Sequence, residues 1–185
     1  VDAADVVMIA VGTPARKSDG YADLTYVYAA AREIARSSSG YKVVVTKSTV
    51  PVGTGDELEA IMREESPTCD FEVVSNPEFL REGAAISDFM HPDRIVIGVN
   101  SDRAKSVMKE LYGGLVSAEH PLITTTRRSA ELTKYACNAF LALKLAYINE
   151  ISDLCEKVDA NVQDVSLAMG LDSRIGRKFL NAGPG

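Results

Sequence analysis

Four polar residues have the types and spacings that chemistry needs. Lys134 and Asn138 stand four apart in a helical pattern, so both project from one face. Together they supply hydrogen-bond donors for a carbonyl or alkoxide oxygen. Glu78 and Glu82 are also four apart, within the segment SNPEFLREGAAISDFMHPDRIVIGV at 75–99. A helical turn after Pro77 would place both carboxylates on one face, where they repel unless a ligand, water or cation lies between them. Spacing leaves plainer readings open. The glutamates also suit a solvated acidic loop, and Lys134 with Asn138 the wet edge of a mostly buried helix.

The surrounding pattern decides what holds these residues. Apolar runs bounded by Pro, Gly and polar residues predict strands at 6–11, 42–46, 71–75, 95–99 and 122–125. Helical periodicity falls between them. One helix spans 26–38, capped by Asp23 or Thr25, with Val27, Ala30, Ala31, Ile34 and Ala35 facing inward. A second spans 54–65 and buries Leu58, Ile61 and Met62. A third spans 103–112, capped by Asp102 and stopped by Gly113-Gly114. Alternation of this kind implies parallel strands joined by right-handed crossovers. The fold class is therefore α/β, the second part of a doubly wound parallel sheet. Ligands in such sheets bind beyond the carboxyl ends of strands, which is where Glu78 and Glu82 fall.

From Ser129 the pattern changes. Leu132, Ala136, Ala139, Phe140, Leu143, Tyr147, Ile151, Leu154 and Val158 keep a helical period, and Leu141, Leu145 and Ile148 add apolar surface on another face. About 30 residues of helix would be about 45 Å long. Apolar on two faces, it should be buried on several sides, as a spine between domains and a subunit contact. The domain boundary is placed at 126/127, with 127–185 holding the long central helix and the start of a helical middle domain. A further helix is expected at 162–169. In the tail, Arg174, Arg177 and Lys178 suit either a phosphate or a cationic surface loop.

Composition narrows the classes. The chain has 185 residues and a net charge of −6, against a duplex nucleic-acid binder, which needs a basic footprint. No apolar run is long enough to span a bilayer. Cys69, Cys137 and Cys155 are widely spaced, which disfavours a disulfide framework or a zinc site and suits a reducing compartment. Neither His91 nor His120 has a partner at metal-ligand spacing, so no metal is expected. Gly53-Thr54-Gly55 is a partial dinucleotide fingerprint, but Leu58 stands where the third glycine belongs, and a helix start is the better reading. The chain opens directly on a strand and closes on Gly183-Pro184-Gly185, as the middle of a longer protein would.

Taken in order, the segments are VGTP after a strand, TKSTVPVGTG after a strand, SNPEFLREG…DF…PDRIVIG, ELTKYACNAFLALKLAYINEI, and SRIGRKFLNAGPG. This series resembles the UDP-glucose dehydrogenase family of NAD-dependent nucleotide-sugar dehydrogenases over essentially the whole chain. The tail is most similar to that of enzymes acting on UDP-glucose. The resemblance implies a Rossmann-like domain opening with a Gly-x-Gly-x-x-Gly turn before Val1. It also implies a nucleophilic cysteine just beyond Gly185, so the chain alone is expected to be inactive. The family reaction oxidises the sugar alcohol to a carboxylate in two steps with NAD, through a cysteine thioester.

Carried over, Lys134 stabilises the oxyanion, Asn138 positions sugar or water, and Thr49 orients water beside the cofactor. Glu78 is the general acid/base, aided by a raised pKa. Val11, Gly12, Thr13, Ser48, Thr49 and Glu82 correspond to the NAD site. Phe79, Leu80 and Arg81 lie with Glu78 along the substrate, and the loop at 179–185, with Phe179, Leu180, Asn181 and Gly185, wraps the nucleotide diphosphate. Arg174 reaches a neighbouring subunit's substrate, so at least a homodimer is implied, in the cytoplasm. Two alternatives remain: a dehydrogenase for GDP-mannose or UDP-N-acetylmannosamine, and a non-catalytic dimerisation module.

Overall fold

The computed structural model describes residues 1–184. Gly185, expected in the diphosphate loop, lies outside them. The chain divides into two compact units, Val1–Lys134 and a second from Tyr135 onward.

The first unit is a five-stranded sheet in the order β1-β2-β3-β4-β5, formed by Val6–Ile9, Lys42–Thr46, Phe71–Ser75, Ile95–Gly98 and Leu122–Thr125. Helices α1 (Thr25–Ser37) and α2 (Thr54–Glu65) follow β1 and β2, and α4 (Asp102–Tyr112) joins β4 to β5. A short helix, α3 (Ala85–Met90), precedes β4. Strand β2 is buried along its whole length, so its side chains alternate between two cores. Val44 packs with Val27, Ile34, Leu58 and Met62 on the α1–α2 side. Val43 and Val45 pack with Val74, Ile97, Met108 and Tyr112 on the α4 side. A sheet covered on both faces explains the continuous apolar strands.

Several expectations need correction. The sheet is not wholly parallel. Strands β1, β2 and β3 are parallel and so are β4 and β5, but β4 runs antiparallel to β3. That junction has a single paired position, Ser75 with Gly98. The Asn76 side chain reinforces it, donating to Val96 O at 2.8 Å and accepting from the Tyr112 hydroxyl at 2.5 Å. Strand β1 ends at Ile9, not Val11, because the Ser48 hydroxyl takes over as the partner of Val11 O. Ser101, not Asp102, caps α4 by accepting from Ala104 N.

Helix α5 (Arg127–Val158) has 32 residues and crosses the division between the units. In the second unit it is not buried on several sides. Phe140, Leu143, Tyr147, Leu154 and Val158, the expected core face, are exposed, while Ile148 and Cys155 are buried. The inner stripe is the one that includes Leu141, Leu145 and Ile148. The reason is that α6 (Val162–Leu171) and the tail cover only one side of it. Ser166 bonds Leu180 O at 2.5 Å, and the Asn149 amide both donates to and accepts from Gly183. Among the described residues no helix is long and apolar enough to cross a membrane.

Candidate active site

The carboxyl ends of β1, β2 and β3 lie side by side, and the loops that leave them are tied together. Thr13 Oγ1 donates to Thr49 O at 2.8 Å, and Ser48 Oγ donates to Val11 O at 2.6 Å. These bonds use the side chains of Thr13 and Ser48 and leave an uncharged wall. At Gly12 a Cβ would meet nothing within 4 Å, so the wall is open there. Beside it is a recess lined by Thr46, Ser48, Thr49, Val50, Ser75, Pro77, Glu131 and Lys134. The Thr46 hydroxyl is buried there and finds no hydrogen-bond partner among the described residues. An orphaned hydroxyl beside an open wall of small and hydroxyl-bearing residues fits an uncharged hydrogen-bonding group of a dinucleotide, such as an amide or a ribose hydroxyl.

Lys134, in the first turns of α5, is nearly fully buried, and its ammonium lies 2.9 Å from Glu78 Oε1. The other Glu78 oxygen accepts from Leu80 N at 2.6 Å. Burial pushes the Glu78 carboxyl up. The Leu80 and Lys134 hydrogen bonds and the charges of Lys134 and Lys47 outweigh it and hold the group below its ordinary value. The expected raised pKa is therefore corrected, because two cations face Glu78 where a second carboxylate was expected. Residues 76–81 are not helical, so Glu78 and Glu82 do not share a helical face, and Glu82 is exposed on the turn before α3.

Lys47 was missed by sequence reasoning. It sits just after β2, and burial drives its ammonium below the ordinary value while Glu78 partly restores it. Its Nζ lies 3.3 Å from Asn76 Oδ1. The only signal for it in the sequence is a lysine directly after an all-buried strand. Glu131, also missed, is 3% exposed. Its carboxylate accepts from Gly53 N at 2.7 Å, Gly55 N at 2.9 Å and Ser75 Oγ at 2.8 Å. This explains the partial glycine fingerprint. Gly53 opens α2 with φ 100°, and a Cβ on Gly55 would lie 2.9 Å from Glu131 Oε1. A carboxylate already occupies the amino end of α2, so a phosphate is excluded from it.

The other expected site residues are placed as follows. Phe79 lies under the Arg94 guanidinium at 4.0 Å and the Lys134 ammonium at 5.7 Å. Leu80 contributes its backbone N–H, and Arg81 is exposed and forked onto Asp88. In the second unit Asn138 is exposed on α5. Arg174 is exposed and turned back on Asp172 at 2.6 Å. Phe179 takes φ 62° and Asn181 is exposed, whereas the Leu180 side chain is buried and available only for packing. Asn149, which holds Gly183, was not anticipated. Cys69 is partly buried against the Ser38 carbonyl and Cys155 is buried.

Residues 1–116 match the model of the UDP-glucose/GDP-mannose dehydrogenase family NAD binding domain, and residues 128–185 match that family's central domain. The chain belongs to the UDP-glucose/GDP-mannose dehydrogenase family. It is 67% identical to a UDP-glucose 6-dehydrogenase of Rhizobium meliloti, over all of this chain and 43% of that protein. It is 53% identical to a UDP-glucose 6-dehydrogenase of Bacillus subtilis, over all of this chain and 40% of that one. Among solved structures, the UDP-glucose dehydrogenase of Pyrobaculum islandicum superposes with a TM-score of 0.92 at 45% identity, covering 97% of this chain and 41% of that one. A GDP-mannose dehydrogenase from Pseudomonas aeruginosa superposes at 0.86 with 34% identity, covering 97% and 42%. The chain thus spans about two fifths of the length of the curated relatives it matches.

Proposed function

We propose that the protein to which these residues belong oxidises the primary alcohol of UDP-glucose to UDP-glucuronate with two molecules of NAD. What carries the reading is the buried Lys134 ammonium held 2.9 Å from Glu78 at the carboxyl ends of the parallel strands, in a chain of this dehydrogenase family. The names of its relatives support UDP-glucose as the sugar nucleotide.

When bound, NAD supplies the hydride acceptor. Val11, Gly12, Thr13, Ser48 and Thr49 form the wall that would hold it, and Glu82 would lie near the nicotinamide. Lys134 donates to the sugar oxygen as negative charge develops on it, and burial strengthens that interaction. Glu78 is already ionised at neutral pH, so it acts as a base that takes a proton from water, and Thr49 orients that water. Asn138 positions the reacting group. Phe79, Leu80 and Arg81 line the sugar side. Phe179, Asn181 and the backbone at Leu180 would follow the diphosphate, and Arg174 would reach a neighbouring subunit's substrate. The assembly is a homodimer or larger, joined through the exposed apolar stripe of α5, and acts in the cytoplasm.

The test is NADH formation by the intact gene product on UDP-glucose, GDP-mannose and UDP-N-acetylmannosamine side by side. Two NADH per UDP-glucose consumed, with the highest kcat/KM on that sugar, is the expected result. Preference for another sugar nucleotide corrects the substrate, and no turnover on any of the three overturns the proposal.

A further inference from the structure

We propose that Glu131 is the positioning residue for Lys134, acting by docking the first turns of α5 onto the amino end of α2 and the end of β3. The first amides of any helix lack intrahelical partners. In α2 the N-cap position is Gly53, which has no side chain to supply one. The Glu131 carboxylate fills that role from 76 residues away, accepting from Gly55 N, and it accepts from Gly53 N as well. Its third bond, to Ser75 Oγ, fixes it to the last residue of β3. One carboxylate thus engages two elements at once and sets both the rotation and the height of α5.

Lys134 follows three residues later, on the same side of the helix, and its ammonium meets Glu78 just beyond β3. Both Glu131 and Lys134 line the same recess. Arg127, one turn earlier, adds ion pairs to Asp56 and Glu59, but those partners are more exposed. The three bonds of Glu131 are short and buried, whereas the buried one from Arg127 to Val73 O is long at 3.5 Å. Loosening them leaves the lysine in place in the sequence and displaces it in space. A small displacement of a reacting group is costly to turnover and leaves ground-state binding nearly untouched.

The inference rests on Lys134 acting in the reaction proposed above, so the test has a second readout that needs no turnover. In the intact protein, Glu131→Gln keeps the shape but replaces one of the two accepting oxygens by an amide NH2, which can only donate. We expect kcat to fall roughly tenfold to a hundredfold, with KM for NAD within about twofold. Lys134 should also become several-fold faster to methylate reductively, read by mass spectrometry. Gly55→Ala, which pushes the carboxylate off from the other side, should do the same. Glu131→Asp, with the charge retained on a shorter arm, should fall between wild type and Glu131→Gln.

Wild-type kcat in Glu131→Gln and Gly55→Ala, or unchanged Lys134 labelling in both, overturns the inference. If Glu131→Gln fails to fold, Gly55→Ala and Glu131→Asp decide by the same criteria. If wild-type protein turns over no nucleotide sugar, the proposed function fails by itself. Lys134 labelling then still decides the dock: faster labelling in the variants upholds it and equal labelling overturns it.

Discussion

The Lys134 ammonium and the Glu78 carboxylate form a pair 2.9 Å apart, with the lysine almost wholly buried. The pair sets a direction for charge. The ion pair fixes the ammonium at the end of β3, where the proposed reaction needs a donor for a developing oxyanion. Lys134→Met removes that donor and leaves Glu78 with Lys47 as its nearest remaining cation. We expect kcat to fall by about 10²–10³, with KM for NAD little changed. Steady-state kinetics of the intact protein measures both.

Glu78 also predicts a pH dependence. Burial raises its pKa, but the Leu80 and Lys134 hydrogen bonds, helped by the charge on Lys47, bring it below the ordinary 4.5. A base with a depressed pKa stays competent until pH falls through that lower value. The acid limb of kcat/KM that Glu78 controls should therefore lie below about pH 4.5, not near neutrality. Glu78→Gln should remove that limb and most of the turnover. An acid limb near pH 6 that vanishes in Glu78→Gln would contradict the assignment.

Arg127 gives a stability prediction of the same sign. It is buried and pairs with Asp56 and Glu59 at 2.7 Å each. Burial raises both carboxyls, but bonds from Arg127, Arg128 and Arg63 outweigh it, and both end below their ordinary values of 3.8 and 4.5. A carboxyl lowered on folding stabilises above its unfolded pKa and loses that contribution as pH falls through the folded one. Wild-type Tm should therefore drop on acidification below about pH 4.5. Asp56→Asn combined with Glu59→Gln should lower Tm at pH 7 and flatten the acid drop. Melting curves from pH 3 to pH 7 measure both.

Asn76 should be unusually sensitive for a residue outside the apolar core. It is 1% exposed, joins β3 to β4 through Val96 O, and accepts from Tyr112, whose hydroxyl burial raises to about 12. The two strands share one ladder position, so this side chain supplies much of the hydrogen bonding between them, beside the packing of Val74 with Ile97. Asn76→Ala strands two buried polar groups and should cost about 2–4 kcal/mol. Urea denaturation of the intact protein would show it.

The strands and most helices were legible because burial on both faces writes itself as continuous apolar runs; β2, α2, β3 and β5 fall at their expected residues. The direction of β4 was not legible. Strand direction depends on the path of the connection, and the weak periodicity of residues 76–94 hides a six-residue helix. Lys134 and Glu78 stood out by residue type and strand-end position. Their pairing did not, since a contact across 56 residues has no local signature. Glu131 was hidden for the same reason: its partners are backbone amides of glycines, which read as a failed fingerprint until the carboxylate is seen above them. On α5 the apolar residues themselves were legible, but two faces carried them and periodicity does not say which faces inward.

The outer face of α5 supplies the last prediction. Phe140, Leu143 and Tyr147 are each more than half exposed, spaced three and four apart on one stripe. Apolar side chains of this size in a row on one helix mark an interaction surface. In the proposed homodimer a second copy covers them, and a charge placed there would be buried without a partner. Phe140→Asp with Leu143→Asp should convert the dimer to a monomer at micromolar concentration. Size-exclusion chromatography with light scattering gives the mass directly. Two copies in wild type and one in the double variant is the expected outcome. A wild-type monomer, or a dimer that survives both aspartates, would show that this stripe does not join the subunits.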